Sequence, residues 1–223
     1  MANSLSQLIF PQRCISCSVL GERICELCRR EWVVEKLVRN IPSLSPQSIR
    51  VISATRYTPI ARKVLLAAKE DGVKSADALL LETLNHAASM FHREKRFDFL
   101  VPMPSRRSAS RQRGRIFMES ITRNLARQLE IPMMNLLIHT REVQDQSELH
   151  LQQRRNNLNQ AFVVSRADID QSVLFQGGRA LLVDDLITTG STLGEGARAL
   201  SAAGIEVVGA ITACSAQSMR PIR

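Results

Sequence analysis

The sequence predicts an α/β fold, a parallel sheet flanked by helices, with a small cysteine-rich module ahead of it. Three observations carry that prediction. Residues 180–192 run Ala-Leu-Leu-Val-Asp-Asp-Leu-Ile-Thr-Thr-Gly-Ser-Thr: an apolar strand that stops at two carboxylates, then a hydroxyl- and glycine-rich turn, then a helix-like pattern. Strand-like and helix-like segments alternate from residue 50 onward, which is the pattern of a parallel sheet with helices on both faces. Cys14-x2-Cys17 and Cys25-x2-Cys28 stand together before that alternation begins.

In chain order, the cysteine module is followed by a short amphipathic segment from Trp32 to Val38. Ile41-Pro42-Ser43-Leu44-Ser45-Pro46 then reads as a linker, because prolines and serines break periodic structure. This divides the chain into a module and linker at 1–45 and a main domain at 46–223. Arg50 to Tyr57 is a strand, Ile60 to Ala68 a short helix, Lys69 to Gly72 a turn, and Ala76 to Phe91 a long helix rich in Ala and Leu. Phe97 to Pro104 is the next strand, Arg115 to Leu129 a helix, and Met133 to Ile138 a further strand. Ala161 to Val164 and Ala180 to Val183 are strands, with Gly177-Gly178 as the turn before the second. Thr192 to Ala203 is a helix ended by Gly204, and Ile205 to Ala213 is the last strand, with Cys214 as a small buried core residue beyond it.

The 180–192 stretch puts a loop and a helix N-terminus at the carboxyl end of a buried strand, where open α/β sheets bind their ligands. Backbone N–H groups and the helix dipole there favour phosphate, Gly190 permits close approach, and the hydroxyls of Thr188, Thr189, Ser191 and Thr192 add donors. Asp184 and Asp185 would repel that phosphate; they suit sugar hydroxyls or an indirectly held Mg2+. A phosphate cradle beside a diol acceptor describes a ribose-5-phosphate site. The alternative is an ordinary strand–turn–helix with an acidic cap.

Two further segments carry chemistry. After Pro102-Met103-Pro104-Ser105 come Arg106, Arg107, Arg111 and Arg113, whose guanidinium groups suit a pyrophosphate or a DNA backbone; a solvated basic loop is the plainer reading. Gln146, Arg154 and Asn157 lie in a polar, helix-like stretch placed as a mobile cover over the sugar, or else as a surface helix. The cysteine pairs offer four thiolates in a tetrahedron, the set that structural Zn2+ prefers, with an iron–sulfur cluster as the other filling. Such a closed site leaves no open position for catalysis.

Across 223 residues, 44% hydrophobic and 23% charged content supports a globular core, and 4% aromatic content argues against many stacking platforms for single strands. The net charge of +9 suits an anionic partner, either a polyphosphate or nucleic acid. No stretch is apolar for long enough to span a bilayer, so membrane insertion is not expected. Met1 to Pro11 lacks the basic start and apolar run of a signal peptide, so a cytoplasmic location is expected, where paired cysteines indicate metal rather than disulfides.

The 180–192 stretch closely resembles the phosphoribosyl-pyrophosphate (PRPP) signature of type I phosphoribosyltransferases. That resemblance implies that Asp184 and Asp185 face the ribose 2′- and 3′-hydroxyls of PRPP bound with Mg2+, and that Thr188, Thr189, Gly190, Ser191 and Thr192 wrap its 5′-phosphate. Together with the cysteine module, nearly the whole chain resembles the ComF family of competence-associated proteins. Tyr57 and Lys69 look like the family's first segment, which adds Lys69 to the pyrophosphate or DNA candidates. Val101-Pro102-Met103-Pro104 matches its Val-Pro-x-Pro strand end, and Gln146, Leu149, Arg154, Asn157, Ala161 and Phe162 match its middle motif. After Arg113-Gly114 the chain departs from the family's Phe-Asn-Gln with Arg115-Ile116-Phe117.

Two functions follow from the resemblance. One is a phosphoribosyltransferase linked to DNA uptake or nucleotide salvage. The other is a non-catalytic PRPP- or nucleotide-sensing accessory that binds single-stranded DNA. The chain has no G-x-x-x-x-G-K-[ST], so any work of transport would come from an ATP-driven partner.

Overall fold

Residues 12–22, 24–42, 48–104, 116–140, 161–165 and 178–216 are described by the computed structural model. Their helices are α1 (Glu26–Glu31), α2 (Pro59–Lys69), α3 (Lys74–His92), α4 (Phe117–Leu129) and α5 (Ser191–Ala202). Their strands are β1 (Leu37–Ile41), β2 (Ile49–Arg56), β3 (Phe99–Pro102), β4 (Leu137–His139), β5 (Phe162–Val164), β6 (Arg179–Ile187) and β7 (Glu206–Ser215).

Five strands form the main sheet in the order β1-β2-β7-β6-β3. β2, β7, β6 and β3 run parallel, while β1 is antiparallel to β2 and forms one edge. The parallel strands are apolar on both faces, as burial under helices on each side requires. Successive side chains alternate between two cores. Leu181 and Val183 face a core made with α2, α3 and α4, and Ala180 and Leu182 face one made with α5 and the β4–β5 pair. At the centre of the first core a Cβ on Gly209 would stand 2.4 Å from the Phe91 ring, so only glycine lets α3 lie this close to β7.

Local chemistry sets several element ends. Thr58 accepts from the Ala61 N–H at 3.2 Å and Pro59 opens α2. At the end of α5, Ile205 N–H donates to Leu200 O with Gly204 at φ 82°. Arg179 grips Asp98 through its side chain and its own N–H, fixing the starts of β6 and β3 against one another.

Four features differ from the sequence reading. β6 does not stop at Val183; it runs on through Asp184 and Asp185 to Ile187, because Asp184, Leu186 and Ile187 keep pairing with Thr212, Cys214 and Ser215 of β7. The stretch from Met133 splits: Met133 makes one parallel bridge to Leu100, and β4 then pairs antiparallel with β5 in a separate small sheet. Glu26–Glu31, unassigned in the sequence, is helical. Leu37–Ile41, read as the run-up to a linker, is the edge strand β1. The expected division at 45/46 therefore falls between two strands paired in one sheet, and Cys14, Ile24, Cys28 and Trp32 share a core with α2 and α3.

Candidate functional site

The parallel strands end along one sheet edge, and β6 carries the two carboxylates there. Asp185 is buried and Asp184 half-buried. The Asp185 N–H donates to Asp184 Oδ1 at 2.9 Å, so the first carboxylate is held by the backbone of the second. Lys69, last residue of α2, pairs with Asp185 Oδ2 at 2.5 Å, and its ammonium also lies 5.9 Å from the centre of the Phe117 ring. Desolvation, and then repulsion from Asp185, pushes the Asp184 carboxyl up to about 8, outweighing the opposite pull of Lys69. One ammonium thus serves both groups, and a further donor or cation beside them would favour the ionised form of Asp184. Burial, helped by the Asp185 charge, pushes the neighbouring Cys214 thiol up to about 12, which makes it an inert core group.

Beyond Ile187 the chain turns through Thr188 and Thr189, both exposed, to Gly190, the N-cap of α5 at φ 83°. A Cβ on Gly190 would meet Ile41 Cγ2 at 2.5 Å, so glycine is required there both by conformation and by space. The Thr189 and Ser191 hydroxyls bond one another at 2.9 Å, and Ser191 N–H reaches Thr189 Oγ1 at 3.3 Å. The first turn of α5 adds backbone N–H groups and the positive end of its dipole. On the far side of α5, Glu195 holds Arg198, which donates to Phe162 O at 3.1 Å and so ties β5 to the helix.

Ahead of β1 the Sγ atoms of Cys14, Cys17, Cys25 and Cys28 all lie within 4.8 Å of one another, with Cys17 and Cys25 at 3.5 Å. Zinc bound at about 2.3 Å to four tetrahedral sulfurs sets them about 3.8 Å apart, so this donor set fits Zn2+. The Cys25 N–H points at Cys14 Sγ from 3.4 Å. Burial works against the Cys14 thiolate, but N–H groups of Cys17, Cys25 and Ser16 outweigh it and bring the thiol down to about 6. The cluster is docked rather than dangling: Trp32 Nε1 donates to Thr83 Oγ1 at 3.1 Å, and Lys63 donates to Ser16 O.

Residues 119–221 match the phosphoribosyl transferase domain family, a span that takes in α5, β6, β7 and the turn between the last β6 residue and α5. The matched stretch, 119–221, is of the phosphoribosyltransferase type. It is also 31% identical over 132 residues to "Competence protein F" of Haemophilus influenzae, an alignment covering 59% of this chain and 56% of the relative, so little more than half of that protein's length is spanned. These two matches bear out the ComF reading with its phosphoribosyltransferase-type domain. Among solved structures, adenine phosphoribosyltransferase of Saccharomyces cerevisiae aligns at 13% identity over 80% of this chain and 83% of that one, with a TM-score of 0.42. Orotate phosphoribosyltransferase of Aeropyrum pernix aligns at 15% identity over 84% and 77%, with a TM-score of 0.40.

Asp184, Asp185 and Thr188–Thr192, which lie in the matched stretch, and Lys69, which lies ahead of it, come together at one sheet edge. Arg106, Arg107, Arg111, Arg113, Gln146, Arg154 and Asn157 lie outside the described residues. Sequence reasoning missed Arg39, which reaches the turn from β1. Its Nη1 donates to Thr188 O at 2.6 Å and to Ala216 O at 3.1 Å. The alternation Leu37, Arg39, Ile41 was the available signal, since all three lie on one side of the strand. Among the described residues no helix is long and apolar enough to cross a membrane.

Proposed function

We propose that this protein binds PRPP with Mg2+ at the carboxyl edge of its sheet and transfers the phosphoribosyl group to an acceptor. The observation that supports this best is the pairing of two adjacent carboxylates on β6 with a glycine-capped helix start five residues on, inside a phosphoribosyltransferase-type domain. In this reading Asp184 and Asp185 accept from the ribose 2′- and 3′-hydroxyls, and residues 188–192 hold the 5′-phosphate. Those contacts fix the sugar while the bond from C1 to pyrophosphate breaks and an acceptor atom bonds to C1 from the other face. Such a step passes through an oxocarbenium-like state and needs positioning and electrostatics rather than a covalent nucleophile. Mg2+ supplies charge neutralisation to the leaving pyrophosphate. Lys69, half-buried beside Asp185, pairs with that carboxylate before the ligand arrives. Zinc in the four-cysteine cluster is structural.

Titration calorimetry with PRPP and Mg2+ tests the reading. Asp184→Asn with Asp185→Asn should weaken binding by at least about tenfold, the loss of two charge-assisted hydrogen bonds, while the fold persists. Unchanged affinity in a folded variant would sink the ribose assignment. A link to DNA uptake is supported by the name of the Haemophilus influenzae relative and by the net charge of +9. In that setting the protein is a cytoplasmic, single-strand-handling companion of an ATP-driven uptake protein. Pyrophosphate release with candidate acceptors separates a turning-over enzyme from a PRPP sensor.

A further inference from the structure

Edge strand β1 and the residue after it meet the turn after β6 and the first turn of α5 at three points. Arg39 Nη1 donates to Thr188 O at 2.6 Å and to Ala216 O at 3.1 Å, bridging the carboxyl ends of β6 and β7. Ile41, on the same side of the strand and 3% exposed, fills the space that a Gly190 side chain would need. Pro42 O lies 3.2 Å from the point where a Cβ on Gly194 would stand, one turn into α5. The guanidinium contact has a directional consequence. In a trans peptide the N–H of one residue points opposite to the C=O of the residue before it. A charged donor that holds Thr188 O toward β1 therefore turns the Thr189 N–H away from β1. Thr188 and Thr189 are both exposed residues, so the loop that carries this N–H lies at the surface.

We propose that Arg39 is a positioning residue for 5′-phosphate binding, aiming the Thr189 N–H from outside the phosphate loop; this rests on the reading of residues 188–192 as the phosphate cradle. Arg39 is half-buried and, among the described residues, its side chain donates to the carbonyls of Thr188 and Ala216, so it acts through the loop. The cradle is then completed by a residue from the segment that follows the cysteine cluster.

The test uses the full chain and three probes. Arg39→Ala should weaken ribose-5-phosphate and PRPP by about tenfold or more, the loss of one charge-assisted hydrogen bond and the order it imposes. Pyrophosphate affinity should stay within about twofold of wild type, since that ligand lacks the 5′-phosphate. Arg39→Lys, which keeps one charged donor, should recover part of the loss. Amide exchange should quicken over residues 187–194 and stay unchanged in β2 and β7. Equal losses for ribose-5-phosphate and pyrophosphate, or faster exchange throughout the sheet, would show a merely structural role and overturn the proposal. Undiminished ribose-5-phosphate binding by Arg39→Ala would overturn it while leaving the cradle standing. A wild type that binds none of the three ligands overturns the cradle reading and this proposal together. Should Arg39→Ala fail to fold, Arg39→Gln carries the same comparison.

Discussion

In the cysteine cluster every ligand comes from the stretch Cys14–Cys28, whereas the strand-end site draws on β1, α2, β6 and the start of α5. The first is closed: its sulfurs face one another, and the surrounding residues need only bring two short turns together. The second is open: its Asp184 carboxyl is pushed up to about 8 in spite of Lys69, and Thr188 and Thr189 of its loop are exposed. A site assembled from neighbours in sequence can form within a short stretch of chain. One assembled across the fold is held by the fold, and it keeps its unbalanced groups for something that comes and goes.

Three experiments press on that contrast. The largest effect belongs to the cluster. Wild-type protein should carry about one zinc per chain by elemental analysis, and Cys25→Ser close to none. Zinc binding in such sites is worth on the order of 10 kcal/mol. Because Cys14, Cys28 and Trp32 share a core with α2 and α3, metal loss should also lower the melting temperature of the whole chain rather than loosen residues 12–32 alone. An unchanged melting curve in the metal-free variant would show that the two regions are energetically separate.

Gly190→Ala comes next. Both the positive φ and the overlap with Ile41 oppose a side chain, so a destabilisation of about 1–3 kcal/mol in denaturant titration is expected. Zinc content should be untouched. A neutral result would mean that β1 yields easily and that the loop is less constrained than its contacts indicate.

The smallest effect concerns charge. In the folded chain Asp184 keeps its proton up to about pH 8, against about pH 4 when unfolded. Folding takes up a proton between these values, so the stability this group contributes is present below about pH 4 and lost as pH rises through about 8. Asp184→Asn removes that dependence. The variant should melt higher than wild type at pH 8.5, with the gap narrowing toward pH 5. A gap that does not change with pH would place the strain elsewhere.

The sequence exposed what is local. Cysteine spacing, the 180–192 order of apolar, acidic and hydroxyl residues, and the α2–α3 periodicity each announce themselves within a short window. Lys69 was reachable only through resemblance, because its partner Asp185 is 116 positions away. β1 was lost for a physical reason: Leu37-Val38-Arg39-Asn40-Ile41 is a half-buried edge strand with weak alternation, followed at once by Pro42, and its identity lies in the pairing with β2. The extension of β6 through two aspartates was hidden because charged residues disfavour strands, and the ladder with β7 overrides that preference at a sheet edge.

That edge strand also decides what can be cut away. A fragment beginning after residue 45 would keep the whole 180–192 signature and still present β2 with five bare pairing positions along its outer side. An unpaired, largely apolar strand edge invites a strand from another molecule. Sedimentation should then show the shortened chain self-associating more than the full one, with β1 acting as a stopper against aggregation as well as a wall of the ligand site.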